Sequence, residues 1–477
     1  MILDILQFVA SLLGVAIVFG ITVFVHELGH FLAAKYKGLY VDRFAIGFGP
    51  KMFSFKRGGV EYAICWIPFG GYVSLPQMAP MEMVEGETEV EVKDLPPISP
   101  WAKIVTAFWG PAFSLLLALA CATLLFLIGK NVNTTLKTTT IGYVEEGSPA
   151  DLAGIKPGDK ILKIDGKTVT HWSKNGDGGI LQAIILSTGE TIKLEVEQDG
   201  TVNTHDLVPV ANPDLEGLRG LGFETPGNRY MPLVVDSFVS EDSPAATSGL
   251  KAGDQILQVN GQTVYSMAQI SKLVQASSDS LALTVERNGS QKELTMTPRL
   301  ELSTGKMMIG VKWKSDFTEI TRVSPFTQVN DSVVTMGRTL YALVSPKADV
   351  GVKHMSGPVG IFNVLRKLLV TDLRDLIAFC VFFNVNLAIL NLLPLPILDG
   401  GHITFAIIEW ITKRPIHVKV LYALQTSFFI ILIAFMLFVS FYDFGRIGKD
   451  IKQGNENKKI AEERGEIRFE PAPATTE

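Results

Sequence analysis

The sequence predicts a polytopic α-helical membrane protein, with four transmembrane helices and a membrane-associated β-hairpin, interrupted by a twice-repeated α+β unit. Three observations carry that prediction. Apolar residues concentrate in four stretches of spanning length, a glycine-punctuated aromatic run follows the first, and the region between the second and third matches itself at an offset of 95 residues. Of the 477 residues, 47% are hydrophobic and 19% charged, with a mean hydropathy of +0.28. Such a chain is not disordered, collagen-like or a disulfide scaffold. A net charge of −5 and a pI near 5.9 give no basic footprint for nucleic acid. Cys65, Cys121 and Cys380 lie far apart in apolar surroundings with no Cys-x-x-Cys spacing, so they read as buried thiols acting as small hydrophobes.

The first apolar stretch covers residues 5–25 and resumes at 31–34 after a polar interruption; the others cover 104–128, 376–393 and 420–441. Each approaches or exceeds the roughly 18–20 residues a spanning helix needs. The first lacks a basic leader and a small-residue cleavage site, and reads as a retained span. Lys35, Lys37, Arg43, Lys51, Lys56, Arg57 and Lys103 lie between spans one and two, and Lys413, Arg414 and Lys419 between three and four. By the positive-inside rule these loops are cytoplasmic, and the N-terminus, residues 131–375 and the tail lie on the opposite side. The basic residues between Arg446 and Lys459 weigh the other way.

Residues 47–73 alternate glycines with Phe48, Phe53, Phe55, Tyr62, Ile64, Trp66 and Phe69 around the turn signal Arg57-Gly58-Gly59. This is the predicted hairpin, resting in the membrane where its backbone is buried in protein or lines a wet cavity. A Glu-rich linker closes the segment within 76–100. The membrane part thus splits into an N-terminal half, 1–130, and a C-terminal half, 373–445. Connecting helices fill 315–372 outside the cytoplasm, and a tail covers 446–477.

Within the repeat, Ser148-Pro149-Ala150 recurs as Ser243-Pro244-Ala245, Gly158-Asp159 as Gly253-Asp254, and Asp165-Gly166 as Asn260-Gly261. The Asp-Gly and Asn-Gly pairs mark tight hairpin turns. The pattern Gly-Asp-x-Ile-Leu-x-x-(Asp/Asn)-Gly resembles PDZ domains of the bacterial type, over 138–225 and 231–300. That resemblance implies capture of extended peptides or C-termini by strand addition, or else a pair of empty modules that block access to the membrane part.

His26-Glu27-Leu28-Gly29-His30 falls in the last turns of span one. Helical spacing puts His26 and His30 on one face, where both imidazoles can ligate one zinc while Glu27 addresses a water. Ionisable residues inside a span cost about 2.5–3.5 kcal/mol each, so three within five positions point to a site. Counted from Lys35 at 1.5 Å per residue, the histidines lie about 7–14 Å inside the cytoplasmic interface. A third ligand is needed, and Asp399 is the candidate. It lies where Pro394, Pro396 and Gly400-Gly401 break span three at matching depth. Asn384, Asn386 and Asn391 place three carboxamides in the same span, as interhelical glue or as donors and acceptors for an unwound substrate. The hairpin edge could pair with the same extended strand.

Together, His-Glu-x-x-His, Leu398-Asp399-Gly400, the hairpin and the tandem units resemble the site-2 protease family of intramembrane zinc metalloproteases, from about residue 1 to 450. The resemblance implies zinc held by His26, His30 and Asp399, Glu27 as general base and acid, and Asn386 and Asn391 holding the unwound substrate. It implies a bacterial inner-membrane enzyme that cuts single-span proteins: anti-sigma factors already trimmed by another protease, and remnant signal peptides. One departure stands out. Members often carry Gly-Pro-x-x-Asn in span two, whereas Gly110-Pro111-Ala112-Phe113-Ser114 puts Ser114 at the Asn position. A membrane-tethered peptide-binding scaffold is the alternative from another class, and the intact His26, Glu27, His30 and Asp399 set argues against it.

Overall fold

The polar residues at 26–30 do not interrupt the first span: α1 runs unbroken over Ile2–Lys37. The structure is a computed structural model and describes residues 2–78, 95–172, 178–212, 217–224, 233–277, 279–302, 304–314, 317–346, 348–464 and 469–470. Most of the Glu-rich linker lies outside them. Next come the strands β1 (Arg43–Arg57) and β2 (Val60–Ser74), then α2 (Pro100–Ile128). Ser99 caps α2 by accepting from the Ala102 amide at 3.2 Å, with Pro100 following at the helix start, where its missing amide costs nothing. After the repeats come α3 (Pro325–Val344), α4 (Pro358–Thr371), α5 (Leu373–Asn391), α6 (Asp399–Thr412) and α7 (Val418–Arg464). Stretches Phe8–Lys37, Pro100–Ile128, Leu373–Asn391 and Lys419–Glu456 are long and apolar enough to cross a membrane. The third ends at Asn391, short of the expected 393, because Pro394 disfavours helix before it. The fourth continues as helix to Arg464, well into the expected tail.

Two units form. One comprises residues 1–131, 320–337 and 355–446; the other comprises 132–319, 338–354 and 447–477. In the first, α2 packs against α1, α5 and α6. Gly29 lets α1 and α2 approach closely, since a Cβ there would sit 2.2 Å from the Trp109 carbonyl oxygen. Lys103 of α2 meets Glu409 of α6 at 2.8 Å. Asp443 of α7, 1% exposed, accepts from the Gly360 amide in the first turn of α4 at 2.8 Å and from Arg446 at 2.7 Å.

The predicted hairpin is longer and more folded than a simple two-stranded ribbon. Its turn is as expected, with Gly58 and Gly59 at φ 60° and 79° and Arg57 opposite Val60. However, Arg43 pairs with both Glu61 and Ser74, Phe44 with both Tyr62 and Val73, and Ala45 with both Ala63 and Tyr72. Run 43–46 therefore lies inside, flanked by 60–64 and 71–74, and 71–74 becomes an outer edge. Glu61 pins this arrangement, accepting from Arg43 at 2.7 Å and Lys51 at 2.6 Å. Burial pushes its carboxyl up, but those two cations outweigh burial and hold it at about 2. Met52, Phe53, Phe55, Trp66 and Ile67, farther out, are exposed.

The second unit repeats itself in space. In the first repeat β3 (Lys160–Ile164), β4 (Lys167–Thr168), β5 (Ile192–Gln198) and β6 (Thr201–Leu207) form a sheet ordered β4-β3-β5-β6, followed by the pair β7 (Val210–Asn212) and β8 (Leu218–Gly220). In the second, β9 (Gln255–Val259), β10 (Gln262–Thr263), β11 (Leu281–Arg287) and β12 (Ser290–Met296) have the same order, followed by β13 (Arg299–Glu301) and β14 (Lys306–Met308). Asp165-Gly166 and Asn260-Gly261 turn at φ 49° and 76°, and 50° and 73°, the left-handed pair that a two-residue hairpin requires. Ser148 and Ser243 each cap a short helix behind Pro. The second repeat extends past 300: strand Val311–Trp313 pairs with Val235–Phe238, and Ile309 is in its core.

Candidate active site

His26 and His30 face α2 one turn apart on α1, both buried. The His30 Nδ1 lies 2.9 Å from the Thr106 carbonyl oxygen. A carbonyl only accepts, so Nδ1 carries the proton and the lone pair of Nε2 points the other way. The His26 Nδ1 is 2.9 Å from the Ser114 hydroxyl. Ser114, at the position where members often carry Asn, thus provides a polar contact to His26. Pro111 inside α2 lacks the amide that would reach the Ala107 carbonyl and presses that turn open, beside the Thr106 carbonyl. Gly110 makes room for the imidazole: a Cβ there would lie 2.1 Å from His30 Nε2.

Asp399 arrives from the other end of the chain. After α5 the backbone turns tightly and α6 begins at Asp399, with Leu398 as its cap residue and no side-chain cap bond. Asp399 therefore does not serve as the helix cap. The glycine pair is required here, since a Cβ at Gly400 would meet the Leu392 and Leu393 carbonyl oxygens at 2.3 Å and one at Gly401 the Leu395 carbonyl oxygen at 2.2 Å. The turn delivers Oδ2 to 3.2 Å from His26 Nε2 and Oδ1 to 3.2 Å from His30 Nε2, while the two Nε2 atoms are 3.2 Å apart.

Three electron-pair donors therefore converge, and among the described residues the buried Asp399 Oδ2 has no hydrogen-bond partner. Protons on both Nε2 atoms would bring two N–H groups head to head. A dication resolves the contact: a tetrahedral ion with bonds of about 2.0–2.1 Å spaces its ligands about 3.3 Å apart. The trio fits zinc, with Ser114 and Thr106 orienting the imidazoles from behind.

Glu27 opens onto the same cavity of about 320 Å³, with Gly71, Val73, Asn391 and His402 also in its wall. Val73 lines the cavity with it. Gly71 rests on it, as a Cβ there would be 3.4 Å from Glu27 Cγ and 2.7 Å from Val23 Cγ1. The outer edge 71–74 of the hairpin thus borders the cavity. Asn391 Nδ2 is 3.4 Å from His26 Nε2. Among the described residues, Asn386 does not line the cavity and its buried Oδ1 has no hydrogen-bond partner. Asn384 donates to the Cys380 carbonyl at 2.9 Å, one turn back on its own helix, so this bond joins no second helix. Sequence reasoning missed the roles of Thr106, Gly110 and Ser114, although Gly-Pro-x-x-Ser holds two of them and Thr106 lies four residues before Gly110 on the same helix.

The sequence profile described as Peptidase family M50 matches residues 14–435. Regulator of sigma-E protease RseP of Escherichia coli is 29% identical over 463 residues, covering 93% of this chain and 100% of that protein. The protein of the same name from Salmonella typhimurium is 30% identical, covering 92% and 99%. A Vibrio cholerae protein, named provisionally as a zinc metalloprotease, is 32% identical, covering 85% and 91%. Among solved structures, the PDZ domain of an SdrC-like protein from Listeria monocytogenes matches 18% of this chain and 92% of its own, at 19% identity and a TM-score of 0.16.

Proposed function

The chain belongs to peptidase family M50, and on that premise we propose that it cuts single-span membrane proteins inside the bilayer, with zinc held by His26, His30 and Asp399. It is a metalloendopeptidase of regulated intramembrane proteolysis. The observation that carries the finer reading is the convergence of two imidazoles and one carboxylate, 3.2 Å apart, beside Glu27 in one cavity. When bound, zinc supplies a nucleophile at neutral pH and polarises the scissile carbonyl.

The protein's own groups do the rest. Glu27, in the wall of the same cavity, takes the proton of the attacking water and returns it to the leaving amine. A peptide bond in a spanning helix is shielded by its own hydrogen bonds, so the substrate must unwind and its freed groups must be satisfied. Asn391 and the hairpin edge at 71–74 offer donors and acceptors beside the metal ligands; Asn386 is assigned to the same strand by family resemblance. We assign the loops after spans one and three to the cytoplasm, and the termini and repeats to the periplasm of an inner-membrane protein. The repeats then act as PDZ modules that capture peptides or C-termini. The substrates are pre-trimmed anti-sigma factors and remnant signal peptides.

Replacing Glu27 by Gln tests this reading. Cleavage of a single-span substrate in detergent should be lost while about one zinc per chain is retained. Residual cutting by Glu27→Gln, or wild-type cuts that map outside the apolar span, would overturn it. Absence of zinc in the wild type would favour the scaffold.

A further inference from the structure

The second repeat is held along one edge by the protein's own C-terminal end. Residues 447–477 group with the second unit, and Phe469 and Glu470 lie against β13. Phe469 bridges Glu301 in antiparallel fashion, and the Glu470 amide donates to the Leu300 carbonyl at 3.0 Å. Arg299 donates to the Glu470 carbonyl at 3.1 Å and places its guanidinium 5.2 Å from the Phe469 ring centre. The aromatic side chain is seated, being 7% exposed. Its tip reaches Gly310, where a Cβ would be 3.0 Å from Phe469 Cζ.

This is strand addition with an aromatic anchor: backbone hydrogen bonds supply affinity, and the ring supplies selectivity. The edge used is the one away from helix Met267–Gln275, which packs on β14 through Gln275 and the Met307 carbonyl. The first repeat serves as an internal control. There β7 and β8 occupy the equivalent place, but Val210 stands where the second repeat has Arg299. Among the described residues β7 pairs with β8 alone, and Val210 is 49% exposed. An uncovered strand edge invites pairing; in the second repeat a cation and a ring cover it.

The geometry points to a peptide-docking site on the outer edge of β13, built for an extended segment with an aromatic residue, whose resident occupant is residues 469–470 of this chain. As the occupant is tethered, its effective concentration is on the order of millimolar, and a free peptide of modest affinity competes only when the tail is removed. Full-length protein in detergent and the same chain ending at Arg464 are to be titrated with a fluorescent peptide of residues 465–477. Saturable binding to the truncated chain is expected, at least tenfold tighter than to the intact chain. Phe469→Ala in the peptide, or Arg299→Ala in the truncated chain, should each weaken it at least tenfold. Equal binding to both chains, no saturable binding, or indifference to Phe469→Ala would overturn the site. A second measurement avoids truncation. In the full chain, Arg299→Ala should speed hydrogen exchange of the Glu470 amide at least tenfold with β11 unchanged, and an unaltered Glu470 rate would also overturn it.

Discussion

Gly110→Ala is the sharpest probe of the metal centre, because the residue ligates nothing. The added Cβ would stand 2.1 Å from His30 Nε2, 2.3 Å from Cε1 and 2.7 Å from Cδ2, where real contacts stay beyond 3.0 Å. The imidazole must therefore retreat by about 1 Å, several times the ~0.2 Å a metal–ligand distance tolerates. The ring cannot simply slide, since its Nδ1 is tied to the Thr106 carbonyl at 2.9 Å. Disturbing a partner behind a ligand costs about 10–100-fold in metal affinity, and displacing the ligand itself should cost at least the upper end. The assay is zinc content at buffered free zinc, alongside substrate cleavage and thermal unfolding. A loss of at least about 100-fold in zinc affinity is expected, with cleavage falling in proportion and the unfolding midpoint largely kept. If Gly110→Ala held about one zinc per chain at the same free zinc and cut at a wild-type rate, the assignment of His30 as a ligand would fail.

Two further outcomes follow from the structure. Ser114→Ala removes the partner of His26 Nδ1 and should weaken zinc binding about 10–100-fold, measured by chelator competition, with His30 unaffected. In the second repeat, Asp254 is fully buried and accepts from Arg287 through two nitrogens at 2.6 Å. Burial pushes its carboxyl up, yet the Arg287 hydrogen bonds outweigh burial and hold it below its ordinary 3.8. A depressed carboxylate stabilises the fold fully above its unfolded value and loses that contribution as pH falls through the folded one. Arg287→Ala should therefore lower the urea midpoint of β11 exchange at pH 7, and the gap to wild type should narrow below about pH 4; a gap independent of pH would refute the pairing.

Much of this was legible in the residues, and the limits have physical causes. Apolar composition and length marked the spans, while Pro394 and the glycine pair marked where Asp399 could leave the helix. Dipeptides such as Asn260-Gly261 fixed the turns of the repeats, since left-handed backbone is a local demand. The hairpin's fold-back was not legible: Arg43 and Ala45 carry nothing in their identity that says both their edges are paired. That outcome is set by how the sheet rests on α1 at Gly71. The role of Ser114 was not legible, because only the spacing of α1 and α2, which Gly29 permits, brings its hydroxyl within 2.9 Å of the imidazole. The tail contact was invisible because it depends on one ring meeting an edge formed some 170 residues earlier.

The three residues proposed to hold zinc, His26, His30 and Asp399, also impose an order in time. A ribosome adding about 5–20 residues per second needs roughly 20–75 s to travel from the histidines to the aspartate. During that interval the emerging chain has a pair of imidazoles in the bilayer and no carboxylate to complete them. The second helix arrives first, and with it the Thr106 carbonyl and the Ser114 hydroxyl, so the rings can be oriented long before they can be armed. On the proposed zinc site, the nascent chain lacks a complete ligand set until residue 399 has been made, and so cannot cut its neighbours before then.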